Sequence, residues 1–471
     1  MHLELFTVNF PVRPFALFFI GVFWTTAGSA ARADDAPKDP QADESSLRKN
    51  RPDTPTYYAD VLPILQKRCQ DCHHPGEVAP FSLLTYEQAK KRAHDLADVV
   101  EDHKMPPWPA STTTGGPFRD ARILSKAEIE TLTEWAEAGA PEGLASAGPP
   151  PRKFDDEWPL GKPDLVLKLV DAYAVGAEGR DEYRVFVIST GLKEGKWIRA
   201  VDYKPGNRRV VHHLLGAFDT RGAAKAKDLA DPKPGYEVFG GFGVLPSGTL
   251  GGWAPGKTAH FEADSVGRYL PAGSDVLIQI HYHKSGKPES DQTAIGLYFA
   301  RKPVDKLLRG AIVRPPTQSL FSRPQLIIPA GVANYETRGS FNLPYDAHLI
   351  GITPHMHLLG KDFLLTALRP DGSRLNLIKI DQWNFNWQLN YELEHPIALP
   401  KGTKIELLAH FDNSASNPNN PNSPPREVRW GEQTTDEMCI GFLQLTRDDE
   451  HLHNQAPAPF LRPAAKLDRV N

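Results

Sequence analysis

Two cysteines separated by two residues and followed directly by a histidine occur at Cys69, Cys72 and His73. In this spacing each thiol can form a thioether bond to a haem vinyl group, and the adjacent imidazole becomes an axial ligand of the iron. A zinc site built on such a pair needs a second pair of Cys or His ligands, and a redox dithiol is a further alternative. Because the third cysteine, Cys439, lies far away in the chain, the motif favours covalent haem c.

The second axial ligand of such a haem is predicted to be Met105, which directly precedes two prolines. A methionine in this role raises the reduction potential of the haem. His94 and His103 are rivals for the position, whereas His74 is too close to His73 to reach the opposite face of the haem. The alternative role of Met105 is to fill a hydrophobic core.

Two histidine pairs in the later part of the chain alternate along predicted strands. Successive strand residues point to opposite faces, so residues two positions apart share a face. His355 and His357 therefore project from one side of their strand, and a single metal ion can bind both. His281 and His283 are spaced in the same way and share their face with Gln279.

A third cluster consists of the adjacent residues His212 and His213, which lie in an apolar stretch. Adjacent residues of a regular strand face opposite ways, so both imidazoles can bind one ion only if the strand bends or if they use different ring nitrogens. The alternative is one metal ligand beside one buried, hydrogen-bonded histidine. Three histidine clusters in one apolar strand framework favour metal binding.

Met438 and Cys439 precede an apolar run near the end of the chain. A thioether added to two imidazoles suits Cu(I), because soft sulfur favours copper over harder metals. A blue-copper site would instead use the Cys439 thiolate with two histidines. Because neighbouring strand residues point to opposite faces, one ion is not expected to bind both sulfurs, and we expect Met438 as the ligand and Cys439 as a buried free thiol.

The composition and the N-terminus limit the classes of partner and the compartment. The 54 Lys and Arg residues are balanced by 58 Asp and Glu, a net charge of -4, which provides no basic field for nucleic acid. A basic residue, a short apolar run and a small-x-small sequence predict an export signal over residues 1–33. Residues 34–55 are typical of a flexible linker. We expect a periplasmic or secreted protein with no stable membrane span after signal cleavage, and an uncleaved membrane anchor is the alternative.

The pattern of the remaining chain changes from helical to strand-rich. Residues 56–145 are predicted to be helical, with N-caps at Thr85 and Ser125, and have the size of a small cytochrome c. From residue 160 onward, short β-branched and aromatic segments alternate with turns, over a length that exceeds one β-sandwich. The expected fold is a small all-α cytochrome c domain followed by two all-β sandwich domains, at 160–313 and 317–448, and a tail over 449–471.

The histidine and methionine motifs, in this order, resemble the copper type II ascorbate-dependent monooxygenases, the family of peptidylglycine α-hydroxylating and dopamine β-monooxygenases. The resemblance covers roughly residues 165–447 and implies two jelly-roll domains with one copper apiece across a solvent cleft. It implies that the electron-storing copper binds His212, His213 and His281. It also implies that a second copper, which activates O₂ and hydroxylates a C–H bond, is bound by three further residues, His355, His357 and Met438. The N-terminal part is similar to a cytochrome c fused to such copper domains in predicted secreted bacterial proteins.

Several positions depart from the family pattern. Thr353 stands where peptide-amidating members carry an arginine for a substrate carboxylate, and Ile440 and Phe442 stand where they carry an asparagine and a tyrosine. These changes favour a more apolar substrate pocket. The cysteine that normally pairs with the one after the methionine is absent from residues 408–411, where His410 is left as a neighbour of the copper site.

The sequence thus predicts a secreted haem c and copper monooxygenase that hydroxylates an unknown small substrate with O₂. The haem, tethered by a linker near residues 148–151, would pass electrons to the copper sites from a periplasmic donor or an ascorbate-like reductant. A non-enzymatic electron-transfer or copper-binding protein is the alternative. A third possibility is a carbohydrate- or surface-binding sandwich with the haem as a sensor.

Overall fold

The computed structural model describes residues 54–154, 158–238, 241–317, 325–431 and 433–457. The predicted export signal (1–33), nearly all of the predicted linker (34–55) and the tail beyond residue 457 lie outside these residues. The described residues all belong to one compact unit. Among the described helices, none is long and apolar enough to cross a membrane.

The described helices lie mainly in the N-terminal part of this unit. They are α1 (Leu62–Arg68), α2 (Tyr86–Lys90), α3 (Ala93–Glu101), α4 (Lys126–Glu137) and α5 (Ala223–Ala230), with a π-helical turn at Tyr57–Val61 and a 3-10 turn at Ala145–Ala147. Both expected N-caps form, since the Thr85 and Ser125 hydroxyls accept hydrogen bonds from backbone N–H groups three residues later. Leu65, Leu132 and Trp135 are fully buried between these helices.

Strands make up most of the described fold. The strands of the first half are β1 (Ala110–Gly115), β2 (Leu165–Lys168), β3 (Tyr173–Val175), β4 (Glu182–Ser189), β5 (Lys196–Lys204), β6 (Val211–Asp219), β7 (Tyr236–Glu237), β8 (Gly248–Trp253), β9 (Val266–Leu270), β10 (Asp275–Tyr282), β11 (Glu289–Asp291) and β12 (Ala294–Phe299). Those of the second half are β13 (Lys306–Leu307), β14 (Arg309–Val313), β15 (Ile327–Ile328), β16 (Tyr335–Asn342), β17 (Ala347–Met356), β18 (Gly360–Leu368), β19 (Arg374–Ile380), β20 (Tyr391–Leu399), β21 (Lys404–Phe411), β22 (Val428–Arg429) and β23 (Cys439–Arg447).

The first sandwich is built from two five-stranded sheets, in the orders β7-β4-β10-β6-β8 and β13-β9-β5-β12-β2. Their apolar side chains form one core that includes Ile198, Leu214 and Ile278. Strand β10 lies between β4 and β6 and runs antiparallel to both. The two strands that carry His212, His213 and His281 are therefore direct neighbours in one sheet.

The second sandwich combines a five-stranded sheet, β1-β19-β18-β21-β16, with a four-stranded sheet, β14-β23-β17-β20. Its core includes Phe363, Leu365 and Leu443. Strands β17 and β23 pair directly, which brings the His355–His357 segment next to the segment that carries Met438. Small two-stranded sheets, β11-β3 and β15-β22, complete the six sheets of the described residues.

The prediction of a small all-α cytochrome c domain ahead of two jelly-roll domains is wrong. The fold is mostly β, with no small all-α domain evident in the described residues. The predicted helical segment itself supplies β1, an edge strand that pairs with β19 of the second sandwich. Trp108 and Phe118, on either side of β1, both pack against Tyr391 of that sandwich. The helices are consequently one part of a mostly β unit.

Candidate metal centre

A bulge in β6 brings His212 and His213 to the same side of the strand. Opposite β10, His213 pairs with His281 whereas Val211 pairs with Tyr282, so His212 is an extra residue in the ladder. An extra residue of this kind bends the strand and interrupts the alternation of its side chains. A bend at this position is one of the two conditions under which both imidazoles can bind a single ion.

Three ring nitrogens converge at this bulge. The Nδ1 atoms of His212 and His213 are 3.1 Å apart, and those of His281 and His213 are 3.4 Å apart. Ligands about 2.0–2.1 Å from a four-coordinate ion are about 3.3 Å from one another, so this spacing fits one metal ion. The ligand atoms of the three residues, which we call the three-histidine group, all lie within 4.8 Å of one another.

Asp181, directly before β4, orients His281. Its Oδ2 accepts a hydrogen bond from His281 Nε2 at 2.7 Å, and its Oδ1 lies 3.1 Å from His283 Nδ1. Burial raises the pKa of the Asp181 carboxyl, but the hydrogen bonds and charges of His281 and His283 outweigh burial and hold this pKa below its ordinary value. The ionised carboxylate keeps the proton of His281 on Nε2 and leaves Nδ1 free for a metal ion.

We expect Asp181→Ala to weaken Cu²⁺ binding at the three-histidine group about 10–100-fold, because a carboxylate that orients a metal-binding histidine typically contributes this much. The dissociation constant would be measured by chelator competition in a His355→Ala background, so that the second pair of histidines contributes less. Asp181→Asn is the matched control, since its amide oxygen can still accept the hydrogen bond from His281. An unchanged affinity in Asp181→Ala would contradict this role.

His355 of β17 and His357, directly after that strand, lie with their ring centroids 5.1 Å apart and their planes at 87°. His355 Nδ1 donates to Oε1 of Gln388, whose Nε2 donates to the Phe385 carbonyl and so fixes the orientation of the amide. His357 Nδ1 donates to the carbonyl of Asp436 at 3.1 Å. In both rings Nδ1 carries the proton, so Nε2 is the nitrogen available to a metal ion.

Glu437 holds Met438 beside His357. Its buried carboxyl group accepts backbone hydrogen bonds from His357 at 2.9 Å, from Leu359 at 2.6 Å and from Met438 at 3.2 Å. Met356 pairs with Cys439 in the β17–β23 ladder. The ladder ends at this pair, and its alternation, extended by one residue on each segment, puts Met438 and His357 on the face of His355. We call His355, His357 and Met438 the second group.

Met356 and Cys439, which alternate with these residues, face the other way. Both are fully buried in the core of the second sandwich. Cys439 is a free thiol, as expected from the sequence. Burial raises its pKa well above the ordinary value, which disfavours the thiolate that a blue-copper site would need.

Burial keeps four of these imidazoles neutral, those of His212, His213, His355 and His357. It lowers the pKa of His212 to about 4 and that of His213 well below its usual range. It likewise lowers the pKa of His355 to about 4 and that of His357 to about 3. Because a metal ion binds the unprotonated ring nitrogen, these histidines are in the form that binds metal at neutral pH.

The predicted haem-attachment motif forms a turn after α1. The His73 backbone N–H donates to the Cys69 carbonyl at 3.0 Å, and His73 Nδ1 donates to the Phe81 carbonyl at 3.1 Å. A carbonyl only accepts hydrogen bonds, so Nε2 of His73 is free for an axial bond to iron. Cys69 and Cys72 are free, half-buried thiols. Two thiols and one free imidazole nitrogen are a donor set that fits haem c.

Met105, the predicted second haem ligand, lies in the turn after α3. It is half-buried, and its backbone N–H donates to the Val99 carbonyl at 3.0 Å. The rival ligands His94 and His103 are exposed. The assignment of Met105 to the haem stays a prediction.

The segment after the haem-attachment motif packs against the first sandwich. Glu77 forms an ion pair of 3.2 Å with Arg208, four residues before His212, and the Arg208 guanidinium lies 5.4 Å from the centre of the Trp253 ring. Trp253 of β8 in turn pairs with Leu214, the neighbour of His213. The motif and the three-histidine group are therefore linked by a short series of packed residues.

The predicted linker near residues 148–151 is also packed. The Gln66 side chain of α1 donates to the Pro150 carbonyl at 2.9 Å, and a Cβ on Gly148 would come within 2.9 Å of the Tyr58 carbonyl oxygen. Instead of a flexible tether, this stretch is a fixed contact of the helical segment.

Sequence reasoning missed Asp181, Gln388 and Phe385, which orient or contact the histidines. Asp181 precedes a predicted strand and Gln388 lies in a loop, so neither carries a motif that could have found it. His410, considered as a neighbour of the copper site, instead pairs with Asp362 at 2.7 Å, on the strand pair β18–β21.

Comparison with protein-family models finds no match, and comparison with curated proteins finds none either. Among solved structures, the major capsid protein P2 of bacteriophage PM2 is similar with a TM-score of 0.25 and 9% identity, over 60% of this chain and 96% of that one. The infectious bursal disease virus VP2 subviral particle gives 0.18 and 9%, over 66% and 76%. A Paenibacillus xanthan lyase gives 0.16 and 9%, over 64% and 29%. Likenesses this weak support no conclusion about function.

Proposed function

We propose that this chain is an exported monooxygenase that holds two copper ions and haem c. The observation that carries the proposal is the convergence of the Nδ1 atoms of His212, His213 and His281. In the proposed reaction, one atom of O₂ enters a C–H bond of a small substrate and the other becomes water, with two electrons and two protons taken from a reductant. Copper at the two groups would supply the one-electron chemistry that O₂ requires.

The two groups suit different tasks. The three-histidine group offers only imidazoles, whereas the second group adds the Met438 thioether, a soft ligand that favours Cu(I). Three protein ligands at the second group would leave a bound copper ion accessible to O₂, as catalytic metal sites generally do. We therefore assign electron storage to the three-histidine group and oxygen chemistry to His355, His357 and Met438.

An apolar surface beside His355 suggests the substrate class. Phe442 lies 6.3 Å from His355 between ring centroids and pairs across the strands with Ile312, and both apolar side chains are exposed. The partner of Phe442 on β17 is Thr353, a neutral residue whose hydroxyl donates to Asn390 at 2.7 Å. A substrate that places an uncharged, apolar C–H group at this surface fits these contacts.

Haem c held by Cys69, Cys72, His73 and Met105 would serve as the electron inlet. The contacts Glu77–Arg208 and Arg208–Trp253 support this role, because they connect the haem-attachment segment to the sheet that carries the three-histidine group. The electrons would come from a periplasmic donor or an ascorbate-like reductant.

A non-enzymatic electron-transfer or copper-binding protein is the second candidate. The burial of His281 and His357, which are 2% and 5% exposed, favours it, since buried sites restrict the access of substrate. This candidate predicts the same metals but no hydroxylated product.

The two candidates are separated by loading the chain with copper and haem, supplying reductant and O₂, and measuring product against O₂ consumed. We expect hydroxylation of apolar C–H substrates in proportion to O₂ uptake, and no product from His355→Ala or Met438→Ala. Met356→Leu is the matched control for Met438→Ala, because Met356 lies in the core and faces away from the site. Retention of two bound copper ions in both His355→Ala and Met438→Ala would contradict the site assignment, and O₂ uptake without product would favour the second candidate.

A further inference from the structure

One aromatic ring contacts both histidine groups. The Phe385 ring stacks on His212 of the three-histidine group, with 5.7 Å between centroids and 17° between planes. The same ring lies 6.0 Å from His357 of the second group, at 86°. His212 belongs to the first sandwich and His357 to the second, so Phe385 joins the two.

The loop that carries Phe385, between β19 and β20, is anchored on the second group. Trp383 Nε1 donates to the His357 carbonyl at 3.0 Å, and the Trp383 backbone N–H donates to Lys361 at 2.8 Å. Gln388 bonds to both His355 and the Phe385 carbonyl. Because residues on both sides of Phe385 are held in this way, its ring reaches His212 from a fixed base.

We propose that Phe385 is a positioning residue that couples the two metal sites. Its ring sets the separation of the two histidine groups and is the packed contact through which one electron passes between them. The ion at the three-histidine group is oxidised, the ion at the second group is reduced, and no bond forms or breaks. This inference rests on the proposed function, because it requires a copper ion at each group.

The chemistry of the contact supports this role. An aromatic ring packed on two imidazoles excludes water from the space between them, and the apolar surroundings of a metal site control solvent access and redox potential. A leucine at position 385 would keep an apolar side chain but lose the flat ring that stacks on His212. A tyrosine would keep the ring.

The test uses the full chain loaded with Cu²⁺ in four forms: wild type, Phe385→Leu, Phe385→Tyr and Phe261→Leu. Phe261 is the matched control, because its exposed ring packs on Tyr298 and Arg199 of the first sandwich, away from both histidine groups. Copper content is measured first, then the dipolar coupling of the two Cu²⁺ ions by pulsed EPR, and then the rate of intramolecular electron transfer after pulsed reduction. We expect Phe385→Leu to slow this transfer by about tenfold or more at full copper content, and Phe385→Tyr and Phe261→Leu to transfer at close to the wild-type rate.

The outcomes separate the two proposals. Electron transfer at the wild-type rate in Phe385→Leu, with both ions bound, would overturn the coupling role and leave the proposed function standing. Loss of copper from both Phe385→Leu and Phe385→Tyr would show that Phe385 has a structural role only, and would overturn the coupling role. If the wild-type chain binds fewer than two copper ions, both the proposed function and this inference are contradicted.

Discussion

Replacing Glu437 by alanine is expected to lower the free energy of unfolding by about 3–5 kcal/mol. Three backbone N–H groups, of His357, Leu359 and Met438, lose their acceptor in a fully buried site, and each buried donor left unsatisfied costs about 1–3 kcal/mol. Chemical denaturation would measure the change. The same variant is expected to lose copper from the second group, since the shared Oε2 that holds Met438 beside His357 is gone.

Two control variants make this expectation specific. Burial raises the pKa of Glu437 to about 8, although the three backbone donors act in the opposite direction. Glu437→Gln replaces the carboxyl by a neutral group of similar shape that still offers one acceptor oxygen, so a smaller loss of stability is expected. Glu427→Ala removes an exposed carboxylate of the same segment, and its effect should stay within about 0.5 kcal/mol. Equal denaturation midpoints for Glu437→Ala and Glu427→Ala would contradict the stabilising role of the Glu437 hydrogen bonds.

The spacing of the metal-binding candidates carried information because strand geometry has a fixed period. The alternation in His355-x-His357 predicts a shared face. The ladder between β17 and β23 puts Cys439 in the core, and the same alternation extended by one residue puts Met438 on the histidine face. Helix N-caps could also be predicted, because they too depend on a fixed local spacing. Thr85 and Ser125 act through neighbours three residues away, so their N-caps could be predicted from local sequence.

The fold prediction was wrong where the structure depends on contacts between distant parts of the chain. The residues of β1 lie in a segment with helices on both sides, and only pairing with β19 far along the chain makes them a strand. The bulge at His212 is likewise set by the register against β10, which the sequence of β6 alone does not contain. A helical stretch followed by a Pro-rich segment therefore predicts a separate domain with a tether, although the structure pairs β1 of that stretch with the second sandwich and packs the Pro-rich segment against α1.

The residues that support the histidines illustrate the same limit. Asp181 bonds to His281 from 100 positions away, and Gln388 bonds to His355 from 33 positions away. Neither sequence separation matches the period of a helix or a strand, so no sequence pattern predicts these hydrogen bonds. The candidate metal ligands could be predicted from the sequence, whereas the orientation of each imidazole ring depends on the fold.

Expression in a host that attaches haem outside the cytoplasm is expected to give a chain with covalent haem, and none in the double variant Cys69→Ala/Cys72→Ala. Each thioether needs one of these thiols, so the effect is all or none. Intact mass and the haem-dependent band on a denaturing gel measure it. Cys439→Ala is the matched control, because its thiol is buried in the core of the second sandwich and should leave the haem in place.

The same preparations separate haem from the alternatives at this motif. Stoichiometric zinc without added haem mass in the wild type would assign Cys69 and Cys72 to a metal site, and a reversible disulfide would assign them to redox chemistry. With haem attached, Arg208→Ala becomes informative. It removes the ion pair with Glu77 and the contact with Trp253, so reduction of copper by the haem should slow while covalent attachment persists. An unchanged rate would show that electrons reach the copper by another path.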